Sequence, residues 1–250
     1  MDQQLAAQLQ AFQKQATSAG ENVVFRVFPA KVLELQELIQ STSLPNSPYH
    51  KDQTSMTTDP AVYPPPESSS VNGDLPQSKK RRIENDTSSP QTTGPREDVQ
   101  FPHLVQPNQH LVTLHETLKR ECEELVALTD HVKLWISLTM PKIEGGDNFG
   151  VQIQEEVVAE LLRSQESAFN LRESVKNHHL ARAKICSKRI KYPNLEDYAL
   201  SLKEHDEGQS YLARQHLNDL RNIYAVLTDL IHKNIAKIRA PRGNNSIGLY

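Results

Sequence analysis

Cysteine is almost missing from this chain of 250 residues; there are two, Cys122 and Cys186. They lie far apart, with no CxxC, so they build no disulfide framework. Each falls within a helical pattern, which predicts buried thiols in a reducing compartment. Long apolar runs are missing too. None approaches the ~18 residues that span a membrane, and the first residues, "MDQQLAAQLQAFQKQ", carry no apolar signal region. A soluble intracellular protein with no membrane partner is expected. Charge of one sign is not in excess: the net charge is -3 and the pI about 6.4. No specific nucleic-acid partner follows from that balance. Hydrophobic content is 37% and mean hydropathy -0.60, low for a compact enzyme of this length. The values suit long helices joined to a disordered part.

Catalytic signatures are missing as well. Nothing resembles GxxxxGK[ST], HExxH, GxSxG, GxGxxG or an HRD set. Neither cysteine has a visible base or oxyanion hole beside it in the pattern. No catalytic residue, metal or cofactor is expected. The ten histidines are scattered. His178 and His179 are neighbours on a helix and point apart, so they read as solvated or oligomer-facing side chains rather than co-ligands.

What is present is helical periodicity. Residues 1–40 read as one helix, with Leu5, Leu9 and Phe12, then Val24, Phe28, Val32, Leu35 and Ile39. Pro29 should kink or split it. Residues 41–104 hold ten of the fifteen prolines and many Ser and Thr. That composition buries too little apolar surface to offset chain entropy, and predicts a disordered insert tethered at both ends. Residues 108–140 carry Leu111, Leu114, Leu118, Cys122, Leu125, Leu128, Val132 and Trp135 in steps of three and four. Surface pairs Glu116–Arg120, Lys119–Glu123 and Arg120–Glu124 are expected beside them.

A third helix is predicted over 152–190, its stripe of Val157, Leu161, Ala168, Leu171, Val175 and Ile185 broken by Gln165 and by "KNHH". A fourth is predicted over 194–239, capped by Asn194, with Leu217, Leu220, Tyr224, Leu227, Ile231 and Ile238 on one face. Helices of roughly 35 to 45 residues measure about 50–65 Å. Two short connections make antiparallel neighbours, so the expected fold is an all-α four-helix bundle of long helices. The stripes are wider than one seam needs, which predicts that bundles pack side by side as a homo-oligomer.

Three local features stand out from that frame. Lys79, Lys80, Arg81 and Arg82, in "SKKRRIEND", form the densest basic run and suit an import receptor, hence a nuclear location with the cytoplasm as a second compartment. The turn "PKIEGGDNFGVQ" has more glycine and polar chemistry than a helix connection needs. The end, "RGNNSIGLY", presents an apolar anchor and a carboxylate together, a combination that a terminal-carboxylate pocket can capture.

These residues carry a resemblance. "WISLTMPKIEGGDNFGVQIQEEVVAEL" resembles the activation-loop region of the ATP-independent 11S, or REG, family of proteasome activators. "ARAKICSKRIKYPNLEDY" and "LRNIYAVLTDLIHKNIAKIRAPR" look like its third and fourth helices. "KKRRIE" and the terminal Leu-Tyr resemble the nuclear gamma-type branch. The resemblance implies a heptameric ring of four-helix bundles around a channel, divided as helix 1–40, insert 41–104, bundle 105–240 with loop 141–151, and tail 241–250.

It further implies a non-catalytic regulator of a protease. Gly145, Gly146, Asp147, Asn148, Phe149 and Gly150 would act on the gate. Ile247, Gly248, Leu249 and Tyr250 would dock on the alpha subunits of the core particle. Lys184 and Lys188 would line the channel taken by protein or peptide substrates. The family loop usually reads "EDGNNFG"; here Gly145 stands for its Asp and Asp147 for its first Asn. The alternative is a nuclear helical-bundle scaffold without proteasome contact.

Overall fold

The computed structural model describes residues 2–47, 50, 105–142, 146 and 148–242. Five α-helices occur among them: α1 (Gln3–Asn22), α2 (Phe28–Ser41), α3 (Gln109–Thr139), α4 (Phe149–Lys191) and α5 (Glu196–Arg239). A π turn, Val23–Val27, joins α1 to α2, so these two make one rod. The rod lies along α3 and α5, while α4 closes the other side against both. This is the expected all-α four-helix bundle, with no strand among the described residues.

Pro29 widens the first helix without splitting it. Phe28 N–H reaches the carbonyl of Val23, five residues back. In that register the next donor would serve Val24, but proline has no N–H. The Val24 carbonyl instead accepts Nε2–H of His232 on α5, at 3.1 Å. Pro29 then sits in the first turn of α2, where its missing donor matters least and its fixed φ suits the helix. The cost of one lost backbone bond is thus met by a side chain from another helix.

The periodic residues form the core. Leu118, Leu125, Val132 and Trp135 of α3 meet Val157, Leu161 and Ala168 of α4. Phe28 and Leu35 of α2 and Leu217, Tyr224, Leu227 and Ile231 of α5 complete it, all buried. Each fully buried large side chain contributes about 1.5–3 kcal/mol of transfer free energy. Cys122 and Cys186 are buried free thiols, as expected. Burial first, then Glu121 and Glu123, push Cys122 up to about 12, so it is an inert core residue. Leu5, Leu9 and Phe12, by contrast, are 48–51% exposed, and burial along α1 begins only at Ala16.

Helix ends agree less closely. Asn108 caps α3, its side chain accepting Leu111 N–H at 3.2 Å. Asn194 does not cap α5, which starts at Glu196 behind Leu195 with no side-chain cap. The turn tightens around Tyr192, whose carbonyl accepts Leu195 N–H at 3.2 Å and whose ring stacks on Tyr198 at 6.0 Å. Those contacts place Pro193 and Asn194 in the turn. After α2 the chain continues in turns to Ser47. The rest of the proline-rich segment apart from His50, with Lys79, Lys80, Arg81 and Arg82, lies outside the described residues.

Charges inside the bundle depart furthest from the sequence pattern. Lys31, near the start of α2, is 4% exposed. Its Nζ lies 2.5 Å from Glu121 and 3.0 Å from Glu124 of α3, and 3.1 Å from Glu34. Burial acts to lower its pKa, but the three carboxylates outweigh that and hold it raised. The expected i,i+4 pairs on α3 give way to other partners. Glu124 goes to Lys31, and Glu123 pairs with Arg172 of α4 at 2.7 Å. Lys119 turns back to Glu116 and Arg120 to Glu121. Gln165, an apparent break in the α4 stripe, is a buried connector. It accepts from Lys133 at 2.9 Å and donates to Asp130 at 2.8 Å and to the Val126 carbonyl.

Candidate functional site

The end of the bundle between α3 and α4 gathers the loop and the root of the C-terminal segment. Met140, at the end of α3, is already extended, and Pro141 follows it. Residues 143–145 and 147, Gly145 and Asp147 among them, lie outside the described residues. Gly146 has φ of 130°, a backbone state that side chains with a Cβ rarely adopt. Glycine is therefore required there by conformation.

Asn148 precedes α4, with φ -108° and ψ 9°, and its carbonyl accepts Gln152 N–H at 2.9 Å. Its side chain does not cap the helix. The side-chain oxygen instead accepts from Nη2 of Arg242 at 3.3 Å. Arg242 lies just past α5, where the C-terminal segment departs. Phe149 is 59% exposed, with Lys237 Nζ 6.0 Å from its ring centre. Gly150 is buried against Pro241. A Cβ at Gly150 would strike the Pro241 carbonyl oxygen and lie 2.6 Å from its Cα.

One turn on, Gln154 is fully buried and binds both neighbouring helix ends. Its Nε2 donates to the Ile238 carbonyl of α5 at 2.8 Å and contacts the Thr139 hydroxyl of α3 at 3.3 Å. Three helix ends are thus tied at one point by an amide, and the loop's last residues rest on the root of the tail. Arg242, Pro241 and Gln154 were not singled out as site residues by sequence. Their signal is positional: a polar residue on the core face of α4, and a proline–arginine pair closing α5.

Of the expected site residues, Gly146, Asn148, Phe149 and Gly150 come together here. Ile247, Gly248, Leu249 and Tyr250 lie outside the described residues. Lys184 and Lys188 are exposed on α4. They stand about 50–60 Å from Phe149 along that helix, so they are no part of this end.

At that far end the structure corrects one reading. His178 is buried, not solvated, while its neighbour His179 is exposed. Its Nδ1 is 2.9 Å from Nε2 of His205 on α5, and the two rings are parallel within 5°. His115 of α3, 3% exposed, meets it edge-on with ring centres 4.9 Å apart. Burial first, then neighbouring cations and imidazoles, lower His178 to about 3 and His115 to about 4. Beside them Arg182 Nε bonds both oxygens of Asp206, at 3.0 and 3.2 Å. Adjacent residues do point apart, as the sequence implied; the missing fact was that one of them points into the bundle.

The long-helix bundle is shared with solved 11S proteasome activators. It covers 97% of this chain and 96% of the 11S subunit PA28 of the Plasmodium falciparum proteasome, with a TM-score of 0.72 and 28% identity. The activator PA26, solved with an archaeal 20S proteasome, shares the fold alone, with a TM-score of 0.66 at 11% identity. The families described as Proteasome activator PA28, N-terminal and C-terminal, match residues 3–51 and 104–248. "Proteasome activator complex subunit 3" of Homo sapiens is 35% identical over 254 residues, all of this chain and 98% of that protein. "Proteasome activator 28" of Dictyostelium discoideum is 31% identical over 69% of this chain and 73% of that protein. The chain belongs to the PA28 family of proteasome activators. Nothing in these likenesses supports a scaffold without proteasome contact.

Proposed function

We propose that this chain is a non-catalytic, ATP-independent activator of the proteasome core particle, acting as a heptameric ring. Ile247, Gly248, Leu249 and Tyr250 dock on the alpha subunits, and Gly145, Gly146, Asp147, Asn148, Phe149 and Gly150 act on the gate. The observation that carries this reading is the join between the two parts. Asn148 bonds Arg242, and Gly150 lies against Pro241, so the loop and the tail root share one end of the bundle. Docking by the tail would bring the loop to the same partner surface.

The energetics favour many copies. One short tail binds weakly, whereas seven on a rigid ring gain roughly 10²–10⁴ in avidity. Tails supply affinity. The loop shifts the gate only by its difference in affinity for open and closed forms. The apolar side chains left exposed on α1, with Phe169 on α4 and Val226 on α5, supply area for contacts between copies. Lys184 and Lys188 are channel-lining candidates that tune which peptides, or ubiquitin-independent protein substrates, pass. Lys79, Lys80, Arg81 and Arg82 bind an import receptor and direct the protein to the nucleus. Residues 41–104 form the insert that carries them, and 241–250 the docking tail.

The test is hydrolysis of a fluorogenic peptide by purified core particle, with and without this protein. Stimulation is expected from an assembly near seven times 28.3 kDa. Asn148→Tyr should bind the core and fail to stimulate it; loss of Leu249 and Tyr250 should abolish co-migration on a native gel. Full stimulation by the Asn148 variant would remove the loop from the mechanism.

A further inference from the structure

We propose that His178, His205 and Asp206 bind a divalent transition metal of the zinc type. The donors come from two helices: His178 from α4, and His205 and Asp206 from α5. The ligand atoms of His178, His205 and Asp206 lie within 4.8 Å of one another. A tetrahedral ion with bonds of about 2.0–2.1 Å needs its donors about 3.3 Å apart, so a small closing of side chains brings these three into place. His178 Nδ1 and His205 Nε2, at 2.9 Å, are nearly in place.

His115 supplies an independent observation. It is 3% exposed, its ring is 4.9 Å from that of His178, and its Nδ1 has no hydrogen-bond partner among the described residues, although it stands outside the group of three. A buried ring nitrogen without a partner is costly unless something else occupies its lone pair. Two imidazoles and one carboxylate suit zinc, cobalt or nickel rather than magnesium or calcium, which take oxygen ligands.

Two features of the arrangement define what binding must change. His178 and His205 now share one N–H between them, so the donor ring must carry its proton on its other nitrogen when both coordinate. That is a change of tautomer with no net loss of a proton. Arg182 now supplies the positive charge at Asp206. A bound ion takes one carboxylate oxygen and leaves the other to the guanidinium. A cleft lined by Val105, His179, Arg182, Ala183 and Cys186 opens beside this pair and provides a way in. The ion would staple α4 and α5 at the end of the bundle remote from Asn148. A metal at that end would set the rigidity of the bundle without touching the activation loop.

The experiment uses the full-length protein, stripped with chelator and dialysed, then titrated with Co²⁺ and, separately, Zn²⁺. One cobalt per chain, with the visible absorption of a tetrahedral nitrogen–oxygen site, is expected, together with a zinc-dependent rise in Tm. His205→Gln, at a partly exposed position, should weaken zinc at least tenfold and abolish the rise in Tm. Less than half an equivalent of bound metal, or wild-type affinity in that variant, overturns the proposal. X-ray absorption of the zinc-loaded wild type is a second arm that needs no variant. It should show imidazole scattering from at least two rings, and a site without imidazole overturns the assignment.

Discussion

Nη2 of Arg242, past the end of α5, donates to Oδ1 of Asn148, before the start of α4, at 3.3 Å. The contact joins two segments that are 94 residues apart in sequence. It also takes up the amide oxygen that a free loop would present outward. Arg242 is therefore a positioning residue for the loop under the activator reading. The bond is exposed and long, so it is worth at most about 1 kcal/mol. Arg242→Ala should lower stimulation of peptide hydrolysis about two- to fivefold while co-migration with the core particle persists. Unchanged stimulation would show that Asn148 needs no such support.

Gly150 offers a sharper test of the same join. Any side chain there meets the Pro241 backbone, which cannot swing aside as a side chain does. Gly150→Ala should separate the loop base from the tail root. It is expected to lower the urea midpoint, at about 1–3 kcal/mol for overpacking, and to lose stimulation together with stability. An alanine variant of wild-type stability would mean that α4 shifts freely against α5.

Lys31 tests the buried charge. Its removal strips Glu121, 1% exposed at its side chain, of its buried cation and leaves it only the exposed Arg120 at Oε1. Lys31→Met should cost on the order of 3 kcal/mol in chemical denaturation. The double variant Lys31→Met with Glu121→Leu should recover much of it, because no buried charge is then left alone. Equal losses in single and double variants would point to packing around the lysine stem.

The imidazole cluster makes stability fall in acid. His115 and His178 have folded pKa values of about 4 and about 3, below the ordinary 6.5. The unfolded chain therefore binds more protons between those limits. The full contribution is present above pH 6.5 and drains away as pH falls toward 4, by about 3 kcal/mol for His115. The imidazoles of His179, His205 and His216, with the charged groups Lys119, Glu116 and Arg182, face the pair. Urea midpoints in chelator from pH 7.5 to 4.5 measure the slope. His115→Asn should flatten it; an unaltered slope would assign the acid sensitivity to other groups.

Much of the bundle was legible because a repeat of three and four marks a buried helix face. Leu118, Leu125, Leu161 and Leu227 are core residues for that reason. Lys31, Gln154, Gln165 and His178 are equally buried and were hidden, since a polar residue reads as surface until its partner is known. Their partners lie on other helices, at separations such as 84 residues for Gln154 and Ile238. Pro29 reads as a break on local grounds, and only the His232 side chain explains why the rod continues. In the candidate site, Gly146 and Asn148 announced themselves by composition. Arg242 and Pro241 did not, because their role is set by what lies across the helix ends.

By itself the sequence determined the helices, their core faces and the family. Periodic burial is a local pattern, and the loop and terminal motifs stay recognisable without coordinates. The tertiary structure alone decided that the loop base and the tail root touch, that a lysine sits among three carboxylates, and that three imidazoles meet inside the bundle. Those relationships depend on the axial register of one helix against another. Side-chain packing sets that register, and no single helix encodes it.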